Sequence, residues 1–250
     1  MLELFTFRLS HFSEKARWLL DASGTEYREV CWTPFFHIWP ALRHGRRGTT
    51  VPILRHRGGY VQDSTEILLW LDRNMPGFQL LPHDKALRRD VLEWEARFDR
   101  IGMHVMRYAY ACTLDDADAV VRLWTLDASA TQRRLIRASF PLLRAAFRRK
   151  LRMSEASAAR SAQRIGEALD ELDERWIESG GPEALVNLER RMRRANWLGD
   201  ADLVRQCLSP EWTFHDRRQL GVGAMTREEY IQSSFAAGVI SMTTLYLDHT

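Results

Sequence analysis

The sequence has little of what several classes of protein require. Its 250 residues include three cysteines, Cys31, Cys112 and Cys207, which lie far apart and show neither a CxxC spacing nor histidines at metal-ligand intervals. We therefore expect neither a disulfide framework nor a metal site. No apolar run approaches the roughly 18 to 20 residues that a bilayer span needs, and the N-terminus lacks a basic segment followed by an apolar one. These features predict a soluble protein of cytoplasmic type with no membrane partner.

Charge of one sign is also scarce. The formal net charge is +3 and the sequence pI is near 8.9, carried mostly by arginine. This balance is too weak to indicate nucleic-acid binding, and we expect no nucleic-acid partner. With 45% hydrophobic and 28% charged residues, the composition is ordinary for a soluble globular protein, and the length suits one large domain or two ordinary ones.

The first 75 residues alternate strand and helix patterns. "LELFTF" is compact and apolar, and the helical spacing that follows it ends at Gly24, after which "TEYREVCW" alternates like a strand. A loop rich in proline, glycine and basic residues is predicted from Pro34 to Thr50. "TVPIL" and "GYVQ" then form a hairpin that turns at Gly58 and Gly59, and "DSTEILLWLDR" is helical. This order predicts a short sheet covered by helices.

The remainder is mostly helical. From about Leu87 to Glu178 the apolar residues recur at helical spacing, after a linker, "NMPGFQLLPHD", that contains two prolines. Later segments predict two helices, a strand in "EWTFHD", a helix with a Thr226 and Glu229 capping box, and a last strand in "SMTTLYLDH". The predicted fold class is an α/β domain followed by an all-α domain and a partial α+β segment. The expected boundaries are 1–75, 84–180 and 183–250.

Polar residues stand at the starts of several predicted elements. Ser10 fits the N-cap of the first helix, and the same geometry would let its hydroxyl donate a hydrogen bond to a thiolate at that helix N-terminus. Pro52 fits a proline that opens a strand, and Asp63 with Glu66 fits a capping box. Taken singly, each residue has a complete structural explanation.

In this order and spacing, however, these features resemble the N-terminal domain of the glutathione transferases, which is thioredoxin-like. The resemblance lies in "LFTFRLSHFSEKARWLLDASGTEYREV", "TVPIL" and "QDSTEILLWLDR", and it covers about residues 2 to 75. The helical stretch from Leu87 resembles the family's C-terminal domain less specifically. Such a resemblance implies glutathione as co-substrate, a small electrophilic partner, homodimerisation and a role in detoxification.

The resemblance also implies roles for individual residues. Ser10 stands where serine-type members carry the hydroxyl that stabilises the glutathione thiolate, and Ser13 stands where redox relatives carry the second cysteine of CxxC. The absence of this dithiol argues for thiolate activation and against disulfide exchange. The remaining implied glutathione-binding residues are Val51 and Pro52, at the cis-proline turn, and Asp63 and Ser64, at the γ-glutamyl end.

Some positions depart from the family's pattern. Thr50 stands where many members carry a lysine, and a basic loop precedes it that either substitutes for this lysine or is simply solvated; its residues are Arg43, His44, Arg46 and Arg47. His11 is either a base beside Ser10 or an exposed loop histidine. "RAAFRRKLR" is a cationic amphipathic stretch, which indicates either the solvated face of a packed helix or a membrane or nucleic-acid surface.

The C-terminal part limits the resemblance. "NWLGDADLV" is a shortened form of a family pattern, and residues 183–250 instead resemble the first half of a polyketide-cyclase-like domain, the cone-shaped fold shared with the nuclear transport factor. This is typical of a fusion or a truncated chain. Two alternatives to the transferase therefore stay open. One is a non-catalytic glutathione-binding or protein-interaction module, and the other is a C-terminal ligand pocket lined by His215, Asp216 and Arg217.

Overall fold

The computed structural model describes residues 1–44, 48–75, 77–78, 80–198, 200–215 and 224–236. The chain divides into two compact units, Met1–Ala162 and Gln163–Thr250. This division falls inside a long helix, Glu155–Glu178. The three-part division expected from the sequence stays a prediction.

A four-stranded sheet forms the start of the first unit. Its strands are β1 (Leu2–Thr6), β2 (Tyr27–Cys31), β3 (Ile53–His56) and β4 (Gly59–Gln62), in the spatial order β2-β1-β3-β4. β1 runs parallel to β2 and antiparallel to β3, and β3 and β4 form the predicted hairpin. The mixed pattern follows from the connections, because a parallel pair needs a long crossover and a hairpin needs only a tight turn.

Helices cover both faces of this sheet. They are α1 (His11–Ala22), α2 (Ile38–His44) and α3 (Ser64–Asn74). α1 and α3 pack with Leu4 and Leu54, which are paired across β1 and β3, whereas Ala41 of α2 packs with Phe5 and Ile53 on the opposite face. Alternation along the strands thus produces two buried layers, and the predicted thioredoxin-like α/β arrangement is confirmed.

α2 corrects the predicted loop from Pro34 to Thr50. The seven residues of this helix are too few to produce a periodic pattern, and Pro40 weakens the helical signal further. Pro40 nevertheless lies in the first turn, where the backbone N–H that proline lacks would have no partner within the helix. Tertiary packing of Ala41, which is fully buried, stabilises the helix.

The predicted helical region of the first unit consists of α4 (Lys85–Thr113), α5 (Ala117–Trp124), α6 (Ala130–Lys150) and the start of α7 (Glu155–Glu178). Side-chain caps begin three of these helices, at Asp84, Asp116 and Ser129. An apolar cluster joins α5 and α6; its buried residues are Leu114, Val120, Val121, Trp124, Ile136 and Phe140. Among the described residues, no helix is long and apolar enough to cross a membrane.

The second unit continues with α8 (Glu183–Leu198), α9 (Ala201–Cys207), β5 (Thr213–His215), β6 (Ala224–Thr226) and α10 (Arg227–Ala236). β5 and β6 form a two-stranded antiparallel pair. The predicted capping box is confirmed, because Glu229 N donates to Thr226 Oγ1 at 3.4 Å and Thr226 N donates to Glu229 Oε2 at 2.8 Å. The predicted last strand, "SMTTLYLDH", lies outside the described residues, as do Asp216 and Arg217.

Candidate functional site

One edge of the sheet brings together the segments that carry the predicted site residues. Phe5 pairs with Ile53, and Ile53 pairs with Gln62, so the end of β1, the start of β3 and the end of β4 lie side by side. Ser10, Pro52 and Asp63 belong to the turns at this edge. Residues that are more than 50 positions apart in the sequence are therefore neighbouring parts of one surface.

Ser10 is the N-cap of α1, as the sequence predicts. Its backbone is extended, with φ −82° and ψ 120°, and its Oγ accepts a hydrogen bond from Ser13 N at 3.3 Å. The side chain is partly exposed. Because the cap uses the hydroxyl only as an acceptor, its hydrogen remains available for donation to a ligand. The cap and the predicted chemical role are thus compatible.

Ser13 has a different environment. Its side chain is fully buried, and its Oγ accepts from Phe7 N at 3.3 Å. Arg17 Nη2 donates to Phe7 O at 3.2 Å, so both backbone polar groups of Phe7 are bonded to side chains of α1. The hydroxyl of Ser13 therefore stabilises the turn before α1, and its role in binding glutathione stays a prediction.

The second turn contains Val51 and Pro52, whose peptide bond is cis, as the resemblance implies. Pro52 O accepts from Asp63 N at 3.0 Å, which ties this turn to the start of α3. Asp63 has φ 92° and ψ 140°, a conformation that costs a residue with a side chain of order 1 to 3 kcal/mol. Its carboxylate, which accepts from Thr65 N at 2.8 Å, helps to hold this conformation.

Ser64, the first residue of α3, carries an unusual hydroxyl. The side chain is fully buried, yet its Oγ has no hydrogen-bond partner among the described residues. An unsatisfied buried hydroxyl costs roughly 1 to 3 kcal/mol. This hydroxyl and the strained backbone of Asp63 both destabilise the start of α3.

Charged side chains from α1 and α4 surround the start of α3, and sequence reasoning missed them. Glu95 Oε1 accepts from Thr65 Oγ1 at 2.7 Å and also pairs with Lys15 Nζ, which lies 3.8 Å from Asp99 Oδ1. Burial raises the pKa of the Asp99 carboxyl, Lys15 opposes this shift, and the charges of Asp63 and Glu95 add to it. The only available signal was the spacing of Glu95 and Asp99, which places both on one face of α4.

His11, the first residue of α1, packs against α4. A Cβ built on Gly102 would lie 2.9 Å from His11 Nε2 and 2.9 Å from Phe12 Cζ, so the absence of a side chain at Gly102 permits this contact. Burial lowers the pKa of His11, and a hydrogen bond with the Gly102 backbone partly opposes this shift. The ring is therefore engaged with α4, and whether it also acts as a base stays a prediction.

The residues of the predicted basic loop and Thr50 lie in different environments. The ring of His44 stacks on Phe5 and lies 4.9 Å from Tyr60, so it covers the sheet. Thr50 O accepts from Gln62 Nε2 at 2.7 Å. Arg43 is exposed, and Arg46 and Arg47 lie outside the described residues.

The cationic stretch "RAAFRRKLR" forms the end of α6, up to Lys150, and the two residues that follow it. Its Phe147 packs into the apolar cluster of α5 and α6, and Arg148 Nη2 donates to Asp115 Oδ1 at 2.6 Å. This arrangement is typical of the solvated face of a packed helix. In the parts of the chain that the structure describes, no group of three or more His, Cys, Asp or Glu side chains could hold a metal ion.

Residues 4–79 match the family model described as "Glutathione S-transferase, N-terminal domain". This match covers the sheet from Leu4 onward, α1 to α3 and all six predicted site residues. No curated protein matches the chain. The predicted resemblance of residues 183–250 to the polyketide-cyclase-like fold stays a prediction.

Solved structures give a consistent similarity. The β-etherase LigF from Sphingobium sp. strain SYK-6 is 22% identical, with a TM-score of 0.52 over 69% of this chain and 72% of that one. A glutathione S-transferase from Methylobacterium radiotolerans, solved in complex with glutathione sulfonate, is 20% identical, with a TM-score of 0.48 over 69% of this chain and 66% of that one. The match thus spans just under two thirds of the Methylobacterium protein. The similarity to LigF shows a shared fold of the sheet and the helical region.

Proposed function

We propose that this chain binds glutathione at the sheet edge formed by Ser10, Pro52 and Ser64, and activates its thiol for attack on a small electrophile. The observation that carries the proposal is the convergence of three features at one edge: a donor-competent Ser10, the Pro52 turn bonded to Asp63, and a buried Ser64 hydroxyl with no hydrogen-bond partner among the described residues. The family match over residues 4–79 supports glutathione as the thiol.

The starts of β3 and α3 would hold the tripeptide. The backbone beside Pro52 has the position to pair with the cysteinyl part, and the Ser64 hydroxyl, with the N-terminal amides of α3, suits the γ-glutamyl carboxylate. The carboxylates of Asp63 and Asp99 suit the γ-glutamyl ammonium, because the negative charges of Asp63 and Glu95 raise the pKa of Asp99 and an added cation would oppose that shift. Ser13, which is buried and bonded to Phe7, would support this site without touching the ligand.

The chemistry would take place at the start of α1. The helix N-terminus and the Ser10 hydroxyl both favour the thiolate over the thiol, and so they lower the pKa of the bound thiol. The thiolate then forms a bond from sulfur to the electrophilic carbon, whose leaving group departs with the electron pair, while the thiol proton goes to solvent. The step needs no metal and no redox partner.

A thermal melt with and without glutathione, made on the parent chain, on Ser10→Ala and on Ser129→Ala, tests the proposal. Ser129 is a matched control because it also caps a helix, α6, through its hydroxyl. Each substitution should cost about 1 kcal/mol of stability as a lost cap. Glutathione at about 100 times its dissociation constant should stabilise the parent and Ser129→Ala by roughly 2.7 kcal/mol, and Ser10→Ala by less.

The thiol itself gives a second measurement. A hydrogen bond to a charged group contributes about 1.5 to 3 kcal/mol. Ser10→Ala should therefore raise the pKa of the bound glutathione thiol by about 1 to 2. Ultraviolet absorbance of the thiolate follows this titration. Stabilisation by glutathione with no conjugation of 1-chloro-2,4-dinitrobenzene would favour the non-catalytic module. A parent chain indifferent to glutathione would show the proposal to be wrong.

A further inference from the structure

The segment that carries Ser10 is attached to a distant part of the chain. Arg8, two residues before Ser10, forms a bidentate ion pair with Asp127, in the connection between α5 and α6. Arg8 Nε donates to Asp127 Oδ1 at 2.9 Å and to Oδ2 at 2.7 Å, and Arg8 Nη2 also donates to Oδ1. The side chains are only 22% and 19% exposed, so water screens this pair less than it screens a typical surface pair.

The other hydrogen bonds of this segment are to α1 or within the segment itself, and the Phe7 ring packs edge-on against His37, with ring centroids 4.5 Å apart. Phe7 is bonded to Ser13 and Arg17 of α1, and Ser10 N donates to Phe7 O at 3.3 Å. These bonds tie the segment to its own helix. α1 packs against α4 through His11 and Phe12, and the Arg8 side chain adds a separate link from this segment to a residue 119 positions away.

The same part of the helical region contacts a second turn. Phe35, between β2 and α2, packs edge-on against Trp124 with ring centroids 5.2 Å apart. Trp124, the last residue of α5, is itself fixed by donation from its Nε1 to Tyr110 Oη at 2.9 Å. Trp124 and Asp127 thus contact the turns that follow β1 and β2, which are adjacent strands of the sheet.

We propose that Asp127 is a positioning residue that, through Arg8, fixes the segment from Phe7 to Ser10 and so directs the Ser10 hydroxyl. This inference rests on the proposed function only in assigning the thiol to Ser10. Asp127 neutralises the guanidinium, so Arg8 acts on Ser10 by geometry and not as a free cation. A displacement of about 1 Å at a reacting group can reduce a rate by about 100-fold, so a single ion pair is sufficient to matter.

Two aspartates permit a matched test. Asp118, in the first turn of α5, pairs with Arg137, and both side chains are 63% exposed. Asp127→Ala and Asp118→Ala therefore remove the same chemical group from neighbouring ion pairs, only one of which touches the Ser10 segment. Asp127→Glu keeps the charge and should restore most of what Asp127→Ala loses.

Amide hydrogen exchange of the ligand-free protein is measured first. Peptides that span residues 7–14 should exchange faster in Asp127→Ala than in the parent chain, whereas Asp118→Ala should leave them unchanged.

Conjugation of glutathione is measured next. In Asp127→Ala, kcat should fall about 10- to 100-fold while KM for glutathione stays nearly constant, because the peptide-binding groups at Pro52 and Ser64 are untouched.

Four outcomes would decide whether Asp127 positions the Ser10 segment. Unchanged exchange in Asp127→Ala, or an equal effect of Asp118→Ala, would overturn the positioning role whether or not glutathione binds. A lower kcat together with a higher KM for glutathione and a lower melting temperature would overturn it too, because a merely structural role would produce that result. Faster exchange in a chain that neither binds nor conjugates glutathione would support the positioning role and overturn the proposed function.

Discussion

At the scale of single side chains, Ser13 and Ser64 have the same burial and opposite hydrogen bonding. Both are fully buried, but Ser13 Oγ accepts from Phe7 N, whereas Ser64 Oγ has no partner among the described residues. A bonded buried hydroxyl stabilises the folded chain, and an unbonded one destabilises it. The two serines therefore differ in their effect on the fold, and the proposed function would give the Ser64 hydroxyl a partner in the ligand.

Substitution of these two serines should give opposite results. Ser64→Ala removes an unsatisfied group, so the ligand-free chain should keep or slightly gain stability, while glutathione binding weakens about 10- to 150-fold through loss of roughly 1.5 to 3 kcal/mol. Ser13→Ala should lower the ligand-free stability by about 1 kcal/mol and weaken binding less. Urea unfolding and calorimetric titration measure both quantities. A Ser64→Ala chain that binds glutathione as tightly as the parent would contradict this assignment.

Sequence reasoning located the turns of the site but not the environment of each residue. Ser10, Pro52 and Asp63 follow from cap and strand-start rules combined with a family resemblance. The burial of Ser13 could not be predicted, because it depends on how the turn at Phe7 folds back on α1. Lys15 and Glu95 were missed for a similar reason, since only the packing of α1 and α4 brings them together.

At the scale of helices, the contact between α1 and α4 depends on one glycine. Gly102 lies inside α4, where glycine is usually about 1 kcal/mol less favourable than alanine. The rings of His11 and Phe12 occupy the space that a side chain at this position would need. Close packing of the first turn of α1 is therefore maintained at the expense of helix propensity.

We expect Gly102→Ala to destabilise the chain despite its better helix propensity. The new methyl group would have to displace two packed rings, at a cost of typically 1 to 3 kcal/mol. Gly166→Ala is the control, because Gly166 lies inside α7 and an added Cβ meets nothing within 4 Å. That variant should gain up to about 1 kcal/mol. Equal effects of the same sign in urea unfolding would show that the rings at Gly102 move without cost.

Elements whose ends carry clear sequence signals were predictable, and α2, which lacks such signals, was not. α1, α3, the hairpin of β3 and β4 and the start of α10 were predicted because caps, turn glycines and apolar spacing agree there. α2 was missed because its seven residues include Pro40 and are stabilised by burial of Ala41, which is a tertiary effect.

At the scale of the whole first unit, several histidines share one titration behaviour. Burial lowers the pKa of His11, His37 and His44; a backbone hydrogen bond partly opposes this at His11 and at His37, and neighbouring Arg43 and Arg55 reinforce it at His44. The ring of His11 lies against α4, the ring of His37 against Phe7 and the ring of His44 against Phe5. The fold therefore favours neutral imidazoles at three packing positions around the sheet.

This shared direction predicts that stability falls as the solution becomes mildly acidic. A histidine whose folded pKa lies below the ordinary value of 6.5 binds more protons when unfolded, so its contribution is complete above pH 6.5 and is lost as the pH falls toward the folded pKa. Melts between about pH 7.5 and pH 5.5 measure the loss. Because other groups titrate as well, the comparison is with His37→Gln, whose stability should decline less steeply over the same range. Parallel curves would mean that His37 is protonated equally easily in the folded and unfolded chains. Burial of its Nδ1, which has no hydrogen-bond partner among the described residues, would then not disfavour the charged ring.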